Sequence, residues 1–386
     1  MPPSQAQPEM PAAAPKPDAA PQPTLYVGHW PHLRGKDSTA TIMWSVVATL
    51  VPAAVFSGYV FGIRAYLHIG LAVATAVATE AVILRLRKRP VTVSDGSAVV
   101  TGMLVAFCLP AQARWFVPMI AAFIAIAIAK QCFGGLGYNI WNPALIGRAF
   151  VHVSFPTDMN PSKYPVLDGG HFLSNIGTVL EGLPAGVQAI TGASPMAHLK
   201  RIAEHPVDAE AIRKVLHNDL PGLGNMFVGN IGGDIGETSA MLLIAGAAYL
   251  MARGWVRWQV PVTYLATVAL GALLLPLHVA AGAGQTDVSL LPILSAAPDL
   301  AGRYVLYHLL GGGVMLGALY MATDMVTTPL TNWGLLLFGF GCGVLTILIR
   351  LYGGYPEAVC YSILLMNTVV PHIDRLTQPR IFGRKR

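Results

Sequence analysis

Apolar runs of bilayer-crossing length recur along this chain, and that repetition limits its fold more than any other feature. A transmembrane helix needs roughly 20 mostly apolar residues, with a range of about 17–25. Runs near that length fall at 42–62, 66–84, 94–110, 115–130, 135–155, 238–253, 258–276, 304–321, 333–350 and 356–373. Hydrocarbon offers no water to backbone N–H and C=O groups, so such runs must be helices. Composition agrees: 54% of residues are hydrophobic and 11% charged, with a mean hydropathy of +0.55, against about 25% charged in a soluble domain. The expected fold is an all-α polytopic membrane protein of about ten transmembrane helices. Two runs are irregular. The third opens on the polar Ser94-Asp95-Gly96-Ser97 and stops at Pro110, and the fifth is interrupted by Asn142-Pro143.

Charge sets the orientation. "RLRKR" (85–89) follows the second run, and Lys/Arg-rich ends stay cytoplasmic. If runs alternate, Lys130, Arg253, Arg257 and the tail cations Arg375, Arg380, Arg384, Lys385 and Arg386 fall on the same side, opposite lone charges such as Arg64, Arg114 and Arg303. The expected organisation is a disordered cytoplasmic tail (1–30, rich in Pro, Ala and Gln), a first transmembrane repeat (31–155), a periplasmic loop (156–237), a second repeat (238–374) and a basic cytoplasmic tail (375–386). Residues 1–30 lack the basic start and apolar core of a cleavable signal. Both termini are therefore expected in the cytoplasm of a bacterium, with the chain in its inner membrane. The net charge of +6 sits at helix ends as topology signals rather than as a nucleic-acid-binding face. Cys108, Cys132, Cys342 and Cys360 form no C-x-x-C, so no zinc or iron–sulfur site is expected from this chain alone.

A weak internal repeat pairs 114–146 with 332–365: Trp115 precedes Phe133-Gly134-Gly135 as Trp333 precedes Tyr352-Gly353-Gly354. Five runs per unit make the two units inverted, an arrangement that places ligand sites where broken helices meet. Polar groups within spans default to function. Glu80 reads most simply as the partner of Arg85 or Arg87, and Asp95 as a helix cap. Two further motifs carry amides, hydroxyls and prolines that can satisfy broken-helix backbone: "YNIWNPALIGRAF" with Asn139, Asn142 and Arg148, and "MATDMVTTPLT" with Thr323 and Asp324. They suit a cofactor pocket and an ion path equally. The histidines in or near spans, such as His68, His152 and His308, read as satisfied or interfacial.

The long loop holds "PVDAEAIRKVLHNDL", patterned as a short surface helix, then "GNIGGDIGETSA", whose Glu237, Thr238 and Ser239 suit a helix start. It also holds "AITGASPMA" (189–197), a small-residue stretch that reads locally as a turn.

"PHLRGKDSTATIM" (31–43), "AKQCFGGLGYNIWNPALIGRAF" (129–150), "ATDMVTTPLTNWG" (322–334), "YGGYPEAV" (352–359) and the tail "HIDRLTQPRIFG" resemble the RnfD subunit of the Rnf electron transport complex, in the NqrB/RnfD superfamily. The resemblance covers nearly all of 31–386. It implies FMN joined through its phosphate to a hydroxyl side chain, in a pattern Asp-x-x-Ser/Thr-x-Ala-Thr. Here Thr191 takes the first hydroxyl position, Gly192 the variable one, Ala193 the alanine and Ser194 the acceptor. Ser stands in place of Thr, and Gln188 in place of the acid. Thr191 and Thr238 are the alternative acceptors. A second, non-covalent flavin (riboflavin) would lie near Asn142 and Asp324. The implied function is a flavin-carrying membrane subunit, inactive alone, of a translocase coupling electron transfer between NADH and ferredoxin to Na⁺ or H⁺ movement. Its implied partners are a periplasmic flavin subunit, membrane iron–sulfur subunits, a flavin transferase and the bilayer, with no nucleic acid.

The alternatives are the B subunit of a sodium-pumping NADH:quinone oxidoreductase, a solute transporter or channel with inverted repeats, and a structural anchor. Orientation is testable by itself. A periplasmic reporter fused near Lys200 should be active, and an inactive one would reverse the topology.

Overall fold

The computed structural model describes residues 37–159, 164–165, 191–192, 195–204, 209–229, 231–237, 239–275, 277–280, 286–289, 293, 298–354 and 358–378. The elements named below all belong to one unit, Thr39–Arg386. The described residues are mostly helical.

The first half runs α1 (Thr39–Phe61), α2 (Ile63–Leu86), α3 (Ser97–Phe107), α4 (Phe116–Ile124, continued as the π-helix Ala125–Gln131) and α5 (Pro143–Ser154). Inward positions on α2 recur at helical spacing: Ala65, His68, Ala72, Ala76, Glu80 and Leu84. Most are small, so neighbouring backbones come close, as in membrane helix pairs generally. A Cβ on Gly102 of α3 would lie 2.7 Å from the Val73 Cα, and one on Gly147 of α5 would overlap the Ala121 carbonyl oxygen of α4. Around the bundle, outward positions expose Trp44, Val55, Tyr59, Leu270 and Phe340, as a lipid-facing surface requires.

Next come α6 (Pro195–Glu204), α7 (Ala209–Lys214, continued as the π-helix Val215–Asp219) and α8 (Leu223–Val228). They bury Met196, Leu199, Ile212, Leu216 and Met226 in a second apolar cluster with Tyr304, Tyr307 and Ile347. The second half comprises α9 (Ala240–Ala252), α10 (Gln259–Leu274), α11 (Ala301–Leu310), α12 (Val314–Leu316, continued as the π-helix Gly317–Met321), α13 (Asn332–Tyr352) and α14 (Val359–Leu376). Two short antiparallel ladders depart from the all-helical expectation: β1 (Tyr164–Pro165) with β2 (Thr191–Gly192), and β3 (Leu277–Ala280) with β4 (Thr286–Ser289).

Among the described residues, α1, α2 and α13 are long and apolar enough to cross a membrane. Pro298–Leu310 with Val314–Met321 makes a fourth span if the pair, bent by 62°, is counted as one. The bend lies at Gly312 and Gly313, with φ of 64° and 67°, a left-handed conformation that glycine adopts without steric cost. Breaking a helix frees carbonyls that hydrocarbon cannot solvate. Arg350, buried on α13, meets them: its guanidinium donates to the carbonyls of His308 (2.6 Å), Gly311 (2.8 Å) and Gly312 (2.8 Å).

The close approach at Gly147 gives a packing prediction. Gly147→Val should push α5 from α4 and destabilise the protein by about 1–3 kcal/mol, the usual range for overpacking, measured as a lowered melting midpoint in detergent. An unchanged midpoint would show that the pair has slack.

Candidate functional site

Two breaks in the helical order lie next to one another. Asn142 stands at the N-cap of α5, where its side-chain oxygen accepts the Ala144 N–H at 3.0 Å, and Pro143 fills the first helical position. Proline belongs there because that position has no intrahelical donor to lose. The same amide donates from Nδ2 to the Met321 carbonyl, 3.1 Å away at the end of α12. One side chain thus satisfies the start of one helix and the end of another.

Beyond Met321 the chain turns through 322–331 and presents Asp324. Its carboxylate accepts from the Val326 N–H and the Thr327 hydroxyl, both at 3.3 Å. Burial lifts the Asp324 carboxyl above its ordinary range. The Val326, Thr327 and Asn139 hydrogen bonds and the Lys130 charge act the other way.

Asn142 and Asp324 line one open pocket that encloses about 90 Å³. Ile42, Val46, Leu104 and Leu250 supply apolar walls; Asn139, Thr323, Ser97 and Lys130 complete the polar side. A mostly apolar lining with a few placed polar groups is the composition of ligand pockets. The two motifs that the sequence separates by some 180 residues therefore form one site.

Lys130 is the residue sequence reasoning missed, having been counted only as a topology charge. It is fully buried. Its Nζ lies 2.8 Å from Glu80 Oε1 and 3.0 Å from Oε2, and donates to Ser97 Oγ at 2.7 Å. Gln131 Nε2 holds Glu80 Oε1 at 2.9 Å, and Asp95 Oδ1 accepts from the Ser97 hydroxyl and N–H at 2.7 and 2.8 Å. The expected pairing of Glu80 with Arg85 or Arg87 is thus corrected. Glu80 faces inward, whereas Arg85, five residues on, is rotated by roughly 140° around the helix and is exposed. Arg87 is also exposed and donates to the Gln131 carbonyl. The available signal was a lone Lys inside "AIAIAKQCF", an apolar run that a cation enters only at a cost.

A second buried pair joins Arg148 of α5 to Asp234 at 3.0 Å. It borders a smaller cavity, of about 10 Å³, with Cys108, Cys360 and Glu237. Among the described residues no group of His, Cys, Asp and Glu could hold a metal ion. His308 departs from the reading of satisfied histidines: it is buried and neither ring nitrogen has a hydrogen-bond partner.

Of the proposed attachment residues, Thr191 and Gly192 form β2, pairing with Pro165 and Tyr164. That backbone is extended rather than a turn, because the two residues enter an antiparallel ladder. Ala193, Ser194 and Thr238 lie outside the described residues. Ser239, beside Thr238, caps α9 by accepting the Leu242 N–H at 3.3 Å. Pro195 begins α6, and Met196 is buried over the bend in the second half. A Cβ on Gly312 would lie 2.7 Å from Met196 Cγ and 2.5 Å from Arg350 Nη2.

Residues 26–383 match the family described as NQR2, RnfD, RnfE. The chain is 41% identical over 362 residues to a protein of Acetobacterium woodii named as a subunit of its Na(+)-translocating ferredoxin:NAD(+) oxidoreductase complex, covering 93% of this chain and 95% of the relative. It is 42% identical over 361 residues to the corresponding subunit of the proton-translocating ferredoxin:NAD(+) oxidoreductase complex of Clostridium ljungdahlii (92% and 95%). It is 37% identical over 354 residues to that of the ion-translocating oxidoreductase complex of Stutzerimonas stutzeri (90% and 93%).

The Lys130–Glu80 pair carries a stability prediction. Lys130→Ala leaves a buried carboxylate without its cation, a loss of about 3–5 kcal/mol, read as a fall in detergent melting midpoint. The Lys130→Met/Glu80→Leu double variant should recover most of that loss. A single variant as stable as the parent would show the pair to be solvated.

Proposed function

The chain belongs to the NQR2, RnfD, RnfE family, and on that premise we infer that it is the membrane-embedded, flavin-carrying RnfD-type component of a complex coupling ferredoxin:NAD⁺ electron transfer to Na⁺ or H⁺ translocation. It works as one part of that oxidoreductase and is inactive alone. The observation that carries the flavin part of the reading is the pocket where Asn142 and Asp324 meet. A flavin ring is flat and apolar with one polar edge. The apolar walls suit its faces, and Asn139, Asn142, Thr323 and Asp324 offer both donors and acceptors to that edge. We assign this pocket to a non-covalent flavin, riboflavin in form.

A covalent FMN belongs on Ser194. This residue immediately precedes Pro195, the first residue of a ten-residue helix, and a phosphate at a helix start gains from the N-terminal dipole and open N–H groups. Flavins supply electron-transfer chemistry when bound, while the protein fixes their position and surroundings. Here α6 holds Met196, two residues from the attachment point, over the bend at Gly312.

With the bent α11–α12 pair counted as one, α1–α5 and α9–α14 are read as ten spans in two inverted repeats. Packing order supports this: α2 meets α3 and α4, and α4 meets α5, as α10 meets α11 and α13, and α13 meets α14. A left-handed glycine precedes both α3 (Gly96) and α12 (Gly313). In this arrangement the pocket opens toward the cytoplasm and 156–237 is periplasmic. Both termini are cytoplasmic and the bilayer is the bacterial inner membrane. A periplasmic flavin subunit and membrane iron–sulfur subunits are the expected redox partners, and a flavin transferase the modifying one.

Two flavin measurements on one purified complex test the reading. In-gel fluorescence of the denatured band should be present in wild type and lost in Ser194→Ala. Acid-extractable flavin should be retained in Ser194→Ala, while Asn142→Ala or Asp324→Ala should weaken its binding by about tenfold, near 1.4 kcal/mol. Band fluorescence that survives Ser194→Ala removes the acceptor assignment. Extractable flavin that is indifferent to both pocket substitutions removes the pocket assignment.

A further inference from the structure

The two members of the Lys130–Glu80 pair are placed unequally. Lys130 and Ser97 line the pocket, whereas Glu80 lies behind them, held by Gln131. Glu80 and Ser97 together fix the ammonium, at 2.8 and 2.7 Å from Nζ, and Asp95 in turn fixes Ser97. The positive end of a buried dipole is therefore presented to the pocket. Asp324, on another part of the lining, is the carboxylate that shares the cavity with this cation.

We propose that Lys130 is a positioning residue that sets the reduction potential of the pocket's redox occupant, by holding a fixed ammonium against its electron-rich form. This rests on the assignment of the pocket to a non-covalent flavin. The effect is electrostatic and balances simply. An added electron increases the occupant's negative charge, Lys130 keeps its proton, and no bond to the protein forms or breaks. Low dielectric makes such a charge count for more than it would in water. The anchoring by Glu80 and Ser97 means that little reorganisation accompanies the electron.

The experiment is a spectroscopic redox titration of the acid-extractable flavin in the intact complex, in a Ser194→Ala background that silences the covalent flavin. Lys130→Gln should lower the reduced-to-oxidised ratio at a fixed poise by about tenfold or more, which is about 59 mV for a one-electron couple. Lys130→Arg keeps the charge and should stay within about twofold of the parent. If Lys130→Gln does not assemble, the Lys130→Gln/Glu80→Gln double variant removes both buried charges, and its ratio should fall in the same direction. Flavin retained at an unmoved potential in Lys130→Gln overturns the role of Lys130 and leaves the pocket assignment standing. A parent complex with no extractable flavin overturns the pocket assignment itself, and this inference with it.

Discussion

A helix broken inside a membrane leaves backbone groups that water cannot reach, and the rest of this fold depends on how those groups are met. Asn142 is the most economical answer. Its amide satisfies the first N–H of α5, that of Ala144, through Oδ1 and the Met321 carbonyl at the end of α12 through Nδ2. Arg350 meets three carbonyls at the bend between α11 and α12. Each needs a long or bifunctional polar side chain in an apolar run, at a cost the bilayer normally forbids. The return is a backbone free to change direction at depth, and that freedom creates the pocket.

The broken segment also links regions that unbroken spans would keep apart. Met196 of α6 rests over Gly312, just before α12. The short cavity beside Arg148 and Asp234 is lined by Gly313, Leu316 and Met321. Tyr320, Thr323 and Asp324 line the larger pocket. From 311 to 325 the chain thus touches Met196 of α6 at one end and the pocket at the other.

How much of this was legible depends on the range of each interaction. Asn142-Pro143 was legible because an amide and a proline inside an apolar run contradict their surroundings, and Asp324 because it follows directly on one among hydroxyls and a proline. Their meeting was not legible, since it depends on how α5 and α12 are placed in three dimensions. Glu80 was visible, but its partner was misread. The sequence offers Arg85 and Arg87 nearby, while the helical rotation that carries them outward and leaves Glu80 facing α4 is a tertiary fact. Lys130 was read as a topology signal because a cation near the end of a run normally is one. The helices α6 and α8 escaped notice because their burial comes from Tyr304, Tyr307 and Ile347 far along the chain. Ser194 came from resemblance alone and lies outside the described residues.

Stability does not explain the Lys130–Glu80 pair. Taking both charges out of water costs several kcal/mol per ion, and well-packed apolar residues of similar volume often do as well or better. The pair sits between α2 and α4, where small residues already bring the helices together. Its distinguishing feature is polarity of placement: the ammonium borders the pocket and the carboxylate does not. A fold that needed only adhesion between two helices would gain nothing by turning the cation toward a cavity, whereas a site that must accept an electron gains a fixed positive charge beside it. The burial cost is then borne by the electrostatics of the pocket, which is where its effect is measurable.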